Sequence, residues 1–256
     1  MKITLAILCL VAAPHARSAS VFFSQAVDGS GTPTGGLSGV ASLPVFAPIR
    51  ETAGSAILGY AEVTVGAGNG QVAGFPISDG TDTYIYQQVA GGGSSSTSLN
   101  FRFVGSDGSG VPLPGITVGV SELFIRVDGR PLTTGGGYVT PEELNTLTLT
   151  STGTPTWEVV NDLAIVDDTI NDGVLSYTVS STLSTPSQYI QWRAYDSVGA
   201  ESITGFTWQL DNDGGALNAT HLQLDLAPIP VPEPSGLLLA GAGIAAAGLR
   251  RRSRGA

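Results

Sequence analysis

Between its two ends the chain alternates apolar and polar residues with a period of two. Leu123, Ile125 and Val127 share one face and leave Glu122 and Arg126 to the other, while Leu147 and Leu149 alternate with threonines between Thr146 and Thr150. Leu175, Tyr177 and Val179 alternate with Ser176 and Thr178, and Ile190, Trp192 and Ala194 with Gln191 and Arg193. The pattern returns in Phe206, Trp208 and Leu210, and again in Leu222, Leu224 and Leu226 against His221, Gln223 and Asp225. A strand points successive side chains to opposite faces, so this pattern, rich in Thr, Val and aromatics, predicts half-buried antiparallel strands. Tyr60 to Val65, Thr83 to Val89 and Ser98 to Val104 add candidates in the first half. Glycine-rich breaks such as Asp28-Gly-Ser-Gly31, Asp79-Gly80, Asp107-Gly108, Asp172-Gly173 and Asp211-Asn-Asp-Gly-Gly215 supply the residues of tight turns. The one helical cue is Thr140-Pro-Glu-Glu-Leu144, where Thr140 and Glu143 form a capping box around Pro141; it runs at once into a strand pattern and predicts a single turn. About a dozen short strands with turns between them define an all-β class and predict a β-sandwich or jelly-roll-like body over residues 21–227. A division into two β domains near residues 105–115 is the alternative.

Both ends break the alternation. Met1 and Lys2 give a basic start, Ile3 to Ala13 are apolar, and the small residues Ala16, Ser18, Ala19 and Ser20 follow, which is the order of a secretory signal peptide over residues 1–20. Cleavage after Ser18 places Ala16 at the −3 position, and cleavage after Ser20 places Ser18 there. An uncleaved anchor would need a longer apolar run than about eleven residues. Cys9 follows Leu8, where a lipidation box wants a small residue, so the leader does not read as that of a lipoprotein. At the other end Pro228, Pro230, Pro232 and Pro234 stiffen a linker over residues 228–234 and exclude a helix before Ser235. Residues 235–249 carry no charge and predict a single transmembrane helix, the form in which such a segment satisfies its own backbone in lipid. Its span of about 22 Å is short of the roughly 30 Å hydrocarbon core, so flanking residues must extend it or arginines must snorkel. Arg250, Arg251, Arg252 and Arg254 stop the segment, and the basic tail 250–256 marks the cytoplasmic side. Lys2 points the other end inward by the same rule, which leaves the body outside. Gly241 to Ala246 fit G-x-G-x-x-A, but that fingerprint needs a βαβ unit and a later acidic residue, and arginines follow instead.

Val231, Pro232, Glu233 and Pro234, the apolar run after them and the closing arginine cluster, with a leader at the opposite end, resemble the PEP-CTERM sorting signal. The resemblance is confined to the tail. It implies recognition by an exosortase, a membrane transpeptidase-like enzyme of Gram-negative bacteria that make extracellular polysaccharide. It also implies cleavage near the Pro-Glu-Pro motif, with the protein anchored in the inner membrane before sorting and held at the cell surface or in the extracellular matrix afterwards.

The formal net charge of −10 hides a segregation of signs. Residues 21–230 hold five arginines, no lysine and twenty acids, a body near −15. Such a surface repels phosphate backbones, which excludes nucleic acid as a partner, and favours solubility outside the cell. Cys9 is the single cysteine, so a chain without its leader has no disulfide and no thiolate metal site; a body of this size buries a core without them. Catalytic residue types are scarce. His221 is the only histidine after the leader and falls on a polar strand face, no serine sits in a G-x-S-x-G elbow, and the ligands zinc favours are absent. These features read as a protein without catalysis and without a cofactor.

Carboxylates keep two alternatives open. Asp167, Asp168 and Asp172, and Asp211 with Asp213, form the densest acidic loops; their hard oxygens suit calcium, although Asp-Gly is also ordinary turn chemistry and neither loop has EF-hand spacing. A secreted glycan hydrolase or lyase would draw on two opposed carboxyls, which any chain this acidic contains. Tyr189 and Tyr195 flank Trp192 on one strand and fall on the face opposite it, so they form either a small stacking platform for extracellular polysaccharide or the shielding face of a core strand. The leading expectation is a structural or interaction protein of the cell surface, the alternatives a carbohydrate-binding module, calcium-assisted or not, and the glycan-cleaving enzyme.

Overall fold

The computed structural model describes residues 18–34, 44–66, 75–77, 84–89, 94–128, 144–180, 183, 185, 187–213 and 218–227. Most of the expected leader, the helical cue before Leu144, and the whole of the linker, apolar segment and basic tail lie outside those residues. The strands in chain order are β1 (Ala19–Val21), β2 (Val45–Arg50), β3 (Gly59–Val65), β4 (Phe75–Ile77), β5 (Tyr84–Val89), β6 (Ser94–Ser106), β7 (Pro112–Thr117), β8 (Glu122–Asp128), β9 (Leu144–Ser151), β10 (Pro155–Asn161), β11 (Val166–Asn171), β12 (Val174–Val179), β13 (Tyr189–Asp196), β14 (Ile203–Asp213) and β15 (Asn218–Ala227). Among the described residues the one helical element is a 3-10 turn, Phe23–Gln25.

These strands join in one antiparallel sheet, not in two facing ones. Its hydrogen-bonded path runs β10-β13-β8-β15-β1-β2-β3-β6-β14-β9-β12-β11, with β5 on the rest of the β15 edge, β4 beside β5, and β7 beside β6. The all-β expectation holds, while the expected sandwich becomes a nearly closed barrel. A sheet of this breadth twists in one sense at every strand and curls until its edges approach. Here the two end strands meet through side chains: the Trp157 indole of β10 donates to the Gly173 carbonyl at 3.1 Å, and the Trp192 indole of β13 donates to Asp168 of β11 at 2.8 Å. Residues 105–115 lie in the β6–β7 hairpin of this same sheet.

The alternating apolar residues fill the barrel. Leu123, Ile125, Val127, Leu175, Tyr177, Ile190, Trp192, Phe206, Trp208 and Leu222 to Leu226 in steps of two are buried in one cluster. Phe101 and Phe206, cross-strand partners on β6 and β14, stack with centroids 4.3 Å apart and planes 5° from parallel. The Trp208 indole donates to the buried Asn145 side chain at 3.0 Å, which satisfies both polar groups inside an apolar interior. Outward positions carry Glu122, Arg126, Gln191, Arg193, Thr207 and Gln209, so apolar groups face in and polar groups face out, the reverse of a lipid-facing barrel.

One stretch of the wall is covered on its outer side. Phe46 of β2, Tyr60 of β3 and Val104 of β6 form a second buried cluster beneath Val27 and Ile57. Two loops of identical sequence, Asp28-Gly-Ser-Gly31 and Asp107-Gly-Ser-Gly110, close over it. In each, the aspartate carboxylate accepts the amide and the hydroxyl of the serine two residues on, and the amide of the residue four on. Those hydrogen bonds hold both carboxyls below the ordinary aspartate range, the serine hydroxyl contributing most. Gly31 has φ +84, and a Cβ there would stand 3.2 Å from the Gly110 carbonyl, so only glycine lets the two loops touch.

Candidate functional site

The tyrosines selected from sequence lie where the alternation places them, half-buried on the outer face of β13, with Ile190, Trp192 and Ala194 buried on the other. Six residues of extended chain separate them, about 20 Å. Each ring carries a cation. The guanidinium of Arg126, from β8, lies 4.1 Å from the centroid of Tyr189, and that of Arg193 lies 4.7 Å from the centroid of Tyr195. Arg193 is itself held between Glu122 and Glu158, the latter at 2.7 Å, and these hydrogen bonds raise its already high pKa. Each such cation–ring contact is worth roughly 0.5–1 kcal/mol at an exposed site. The result is a polar strip across β8, β13 and β10 in which one face of each tyrosine is already occupied.

The acidic residues proposed for calcium do not converge among the described residues. Asp167 and Asp168 are adjacent on β11 and so point to opposite faces. Asp168 accepts the Trp192 indole, and Asp172 sits in the turn before β12 with φ 50, a conformation that aspartate tolerates better than most residues. Asp211, on β14, accepts two hydrogen bonds from the Gln209 amide at 2.9 Å. The side chains of Asp213 and His221 lie outside the described set. No group of three or more His, Cys, Asp or Glu that could hold a metal ion occurs among the described residues.

Sequence reasoning missed a groove on the opposite wall. It is a cavity of about 530 Å³ lined by Glu62, Thr64, Asn100, Arg102, Thr150 and Thr207 among others. Arg102 donates to Glu62 at 2.6 Å across the β3–β6 pair, and the Thr207 hydroxyl donates to Asn100 at 2.9 Å across the β6–β14 pair. Gly205, opposite Arg102, lets β14 approach β6 closely, since a Cβ there would stand 2.0 Å from the Phe101 carbonyl oxygen. These residues come from strands distant in sequence, so no local motif announces them.

A half-buried acid marks the junction of the first and last strands. Asp225 of β15 accepts the Ser20 hydroxyl of β1 and the Gln223 amide at 3.3 Å, yet burial raises its pKa above the ordinary 3.8. A carboxyl whose folded pKa exceeds its unfolded one holds its proton more tightly when folded. Its contribution to stability is therefore full below pH 3.8 and is lost as the pH rises through the raised value. Asp225→Asn should remove that dependence. Denaturant midpoints measured at pH 3.5 and pH 7 should show the variant gaining on the wild type at pH 7; a constant difference would exclude an elevated carboxyl.

The same junction places the two chain ends. Ala19 pairs with Leu226 and Ser20 with Asp225 in antiparallel register, so the start of β1 and the finish of β15 lie at one end of the barrel. The sorting residues Val231, Pro232, Glu233, Pro234, Arg250, Arg251, Arg252 and Arg254 lie beyond that point, outside the described residues. Among the described residues no helix is long and apolar enough to cross a membrane.

A barrel with an apolar interior, followed in sequence by a proline-rich, apolar and arginine-ended tail, defines a class of protein: a β-structured body carrying a C-terminal address. The address is a PEP-CTERM protein-sorting motif, matched over residues 230–252, the signal of an exported protein directed to an exosortase. No curated protein and no solved structure matches the chain.

Proposed function

We propose that the protein is an exported structural or interaction component of the cell envelope, without catalysis of its own, delivered by its tail. The match of residues 230–252 to the PEP-CTERM motif carries this reading. In it, residues 1–20 or nearly so are a leader, 21–227 the body, 228–234 a stiff linker, 235–249 a membrane helix and 250–256 a cytoplasmic basic tail. The exosortase is the partner that receives the Pro-Glu-Pro motif, the inner membrane of a Gram-negative cell is the first location, and the surface or extracellular matrix is the last. The pairing of the start of β1 with the finish of β15 supports the arrangement, because the leader and the tail then adjoin the same end of the barrel. The test is fractionation of cells that make the chain truncated after Pro230, with the body expected in the soluble exported fraction.

A second reading gives the body a glycan-binding role on exopolysaccharide, supported by the half-exposed tyrosines of β13 and the polar groove of β3, β6 and β14. Stacking on the uncovered ring faces would use Tyr189 and Tyr195. The double change Tyr189→Ala/Tyr195→Ala should lower retention on immobilised polysaccharide at least tenfold, a loss of about 1.4 kcal/mol. Unchanged retention would remove the tyrosines from that role, and Arg102→Ala in parallel reports on the groove.

A further inference from the structure

We propose that the leader is removed between Ser18 and Ala19, so that the mature chain begins with the first residue of β1. The existence of the cut rests on reading the first eighteen residues as a secretory leader; the choice of bond rests on the sheet. Two bonds meet the small-residue rule, one after Ser18 with Ala16 at −3, the other after Ser20 with Ser18 at −3. The sequence does not separate them. The folded body does.

Ser18 is exposed and lies outside the sheet. Ala19 is 2% exposed and pairs with Leu226, while Ser20 pairs with Asp225 on one side and with Arg50 on the other. Every pairing between β1 and β15 is made by these two residues, so they join the last strand to β2 in the middle of the sheet path. A cut after Ser20 deletes that ladder and takes from Asp225 the hydroxyl that relieves its burial. A cut after Ser18 keeps both pairings and the hydrogen bond, and removes only residues that precede the sheet.

The chemistry is hydrolysis by a leader peptidase. Water adds across the Ser18–Ala19 amide, Ser18 leaves with the carboxylate, and Ala19 keeps the amine. The Ser18–Ala19 bond stays reachable at the rim of the folded barrel, whereas the Ser20–Val21 bond is enclosed between β15 and β2.

Composition makes the test direct. Lys2 is the only lysine, so a chain without its leader has one amine, its α-amino group. The mature protein purified from its own envelope is treated with an amine-reactive tag, digested at arginine and read by mass. The tag is expected on the peptide from Ala19 to Arg50 and on no other. A tagged peptide starting at Val21, or at any other residue past the leader, overturns the proposal and leaves the leader standing. Tag on Met1 and Lys2 overturns the leader itself. In a companion chain, Ala16→Arg places a charge at −3 of the proposed bond. Accumulation of precursor or a shift of the start to Val21 supports the proposal, and an unchanged start overturns it.

Discussion

Replacing Trp192 by alanine is expected to destabilise the protein by about 3–5 kcal/mol, the range for removing a buried aromatic ring from a packed core. Trp192 has no exposed surface, sits on β13 between β10 and β8, and lies against Tyr177 with ring centroids 4.5 Å apart. Its indole also reaches Asp168 on β11, so one side chain packs the interior and ties the two ends of the sheet path together. For a domain of about this size, each kcal/mol moves the melting temperature by roughly 2–4 °C, which gives a fall of about 6–20 °C. Trp192→Phe separates the two roles. It keeps most of the ring and loses the donor, and should cost about 1–3 kcal/mol. Val198→Ala, at a residue 83% exposed, should stay within about 0.5 kcal/mol. Urea midpoints at unchanged slope measure all three. A Trp192→Ala loss below about 1 kcal/mol would mean that β13 does not face a packed interior.

How far the fold could be read from sequence depends on how many faces of a strand are covered. β13, and β14 from Phe206 to Leu210, alternate because one face is buried and the other wet, so Ile190, Trp192 and Ala194 and their counterparts Phe206, Trp208 and Leu210 are correctly placed inside. β2 does not alternate. Its first five residues, Val45 to Ile49, are all buried because the Asp28 loop covers Phe46 on the outside, and nothing local announces that cover. Ala19 and Ser20 look like the small residues of a processing site, and only their pairing with β15 makes them strand. Closure was also illegible. Alternation says that a strand has an inside, but whether two sheets or one curled sheet supplies it depends on pairings between residues as distant as Ser20 and Asp225.

The candidate sites divide in the same way. Tyr189 and Tyr195 are on the outer face, as their spacing from Trp192 requires, because parity along a strand is a local property. That Arg126 lies over Tyr189 follows from the register of β8 against β13, where Arg126 stands opposite Gln191, and register is not written in either strand alone. Asp168 has the composition of a cation ligand in sequence and the role of an indole acceptor in space. The PEP-CTERM motif was legible in full because its residues are contiguous in sequence, so the pattern needs no tertiary contact to be recognised.

Truncation after Pro230 is expected to convert a membrane-retained protein into a soluble exported one, the largest change in location any single edit should produce. The apolar segment is a weak anchor by itself. Leu237, Leu238, Leu239, Ile244 and Leu249 each favour insertion by roughly 0.3–0.6 kcal/mol at a helix centre, about 1.5–3 kcal/mol together. The arginine cluster adds attraction to anionic lipid of about 1 kcal/mol per residue near the surface, so the basic end matters as much as the apolar run. Changing Arg250, Arg251, Arg252 and Arg254 together to Gln should therefore weaken retention strongly with the apolar run unchanged, whereas Glu233→Ala should leave retention intact and alter processing at the motif. The two arms distinguish anchoring from recognition. Cell fractionation and intact mass report both, and the body itself is expected to fold in every case because no strand of the barrel extends past Ala227 among the described residues. A truncated chain that stays with the membrane would place the anchor in the barrel wall or in an uncleaved leader, and either would overturn the tail as the element that holds this protein to the cell.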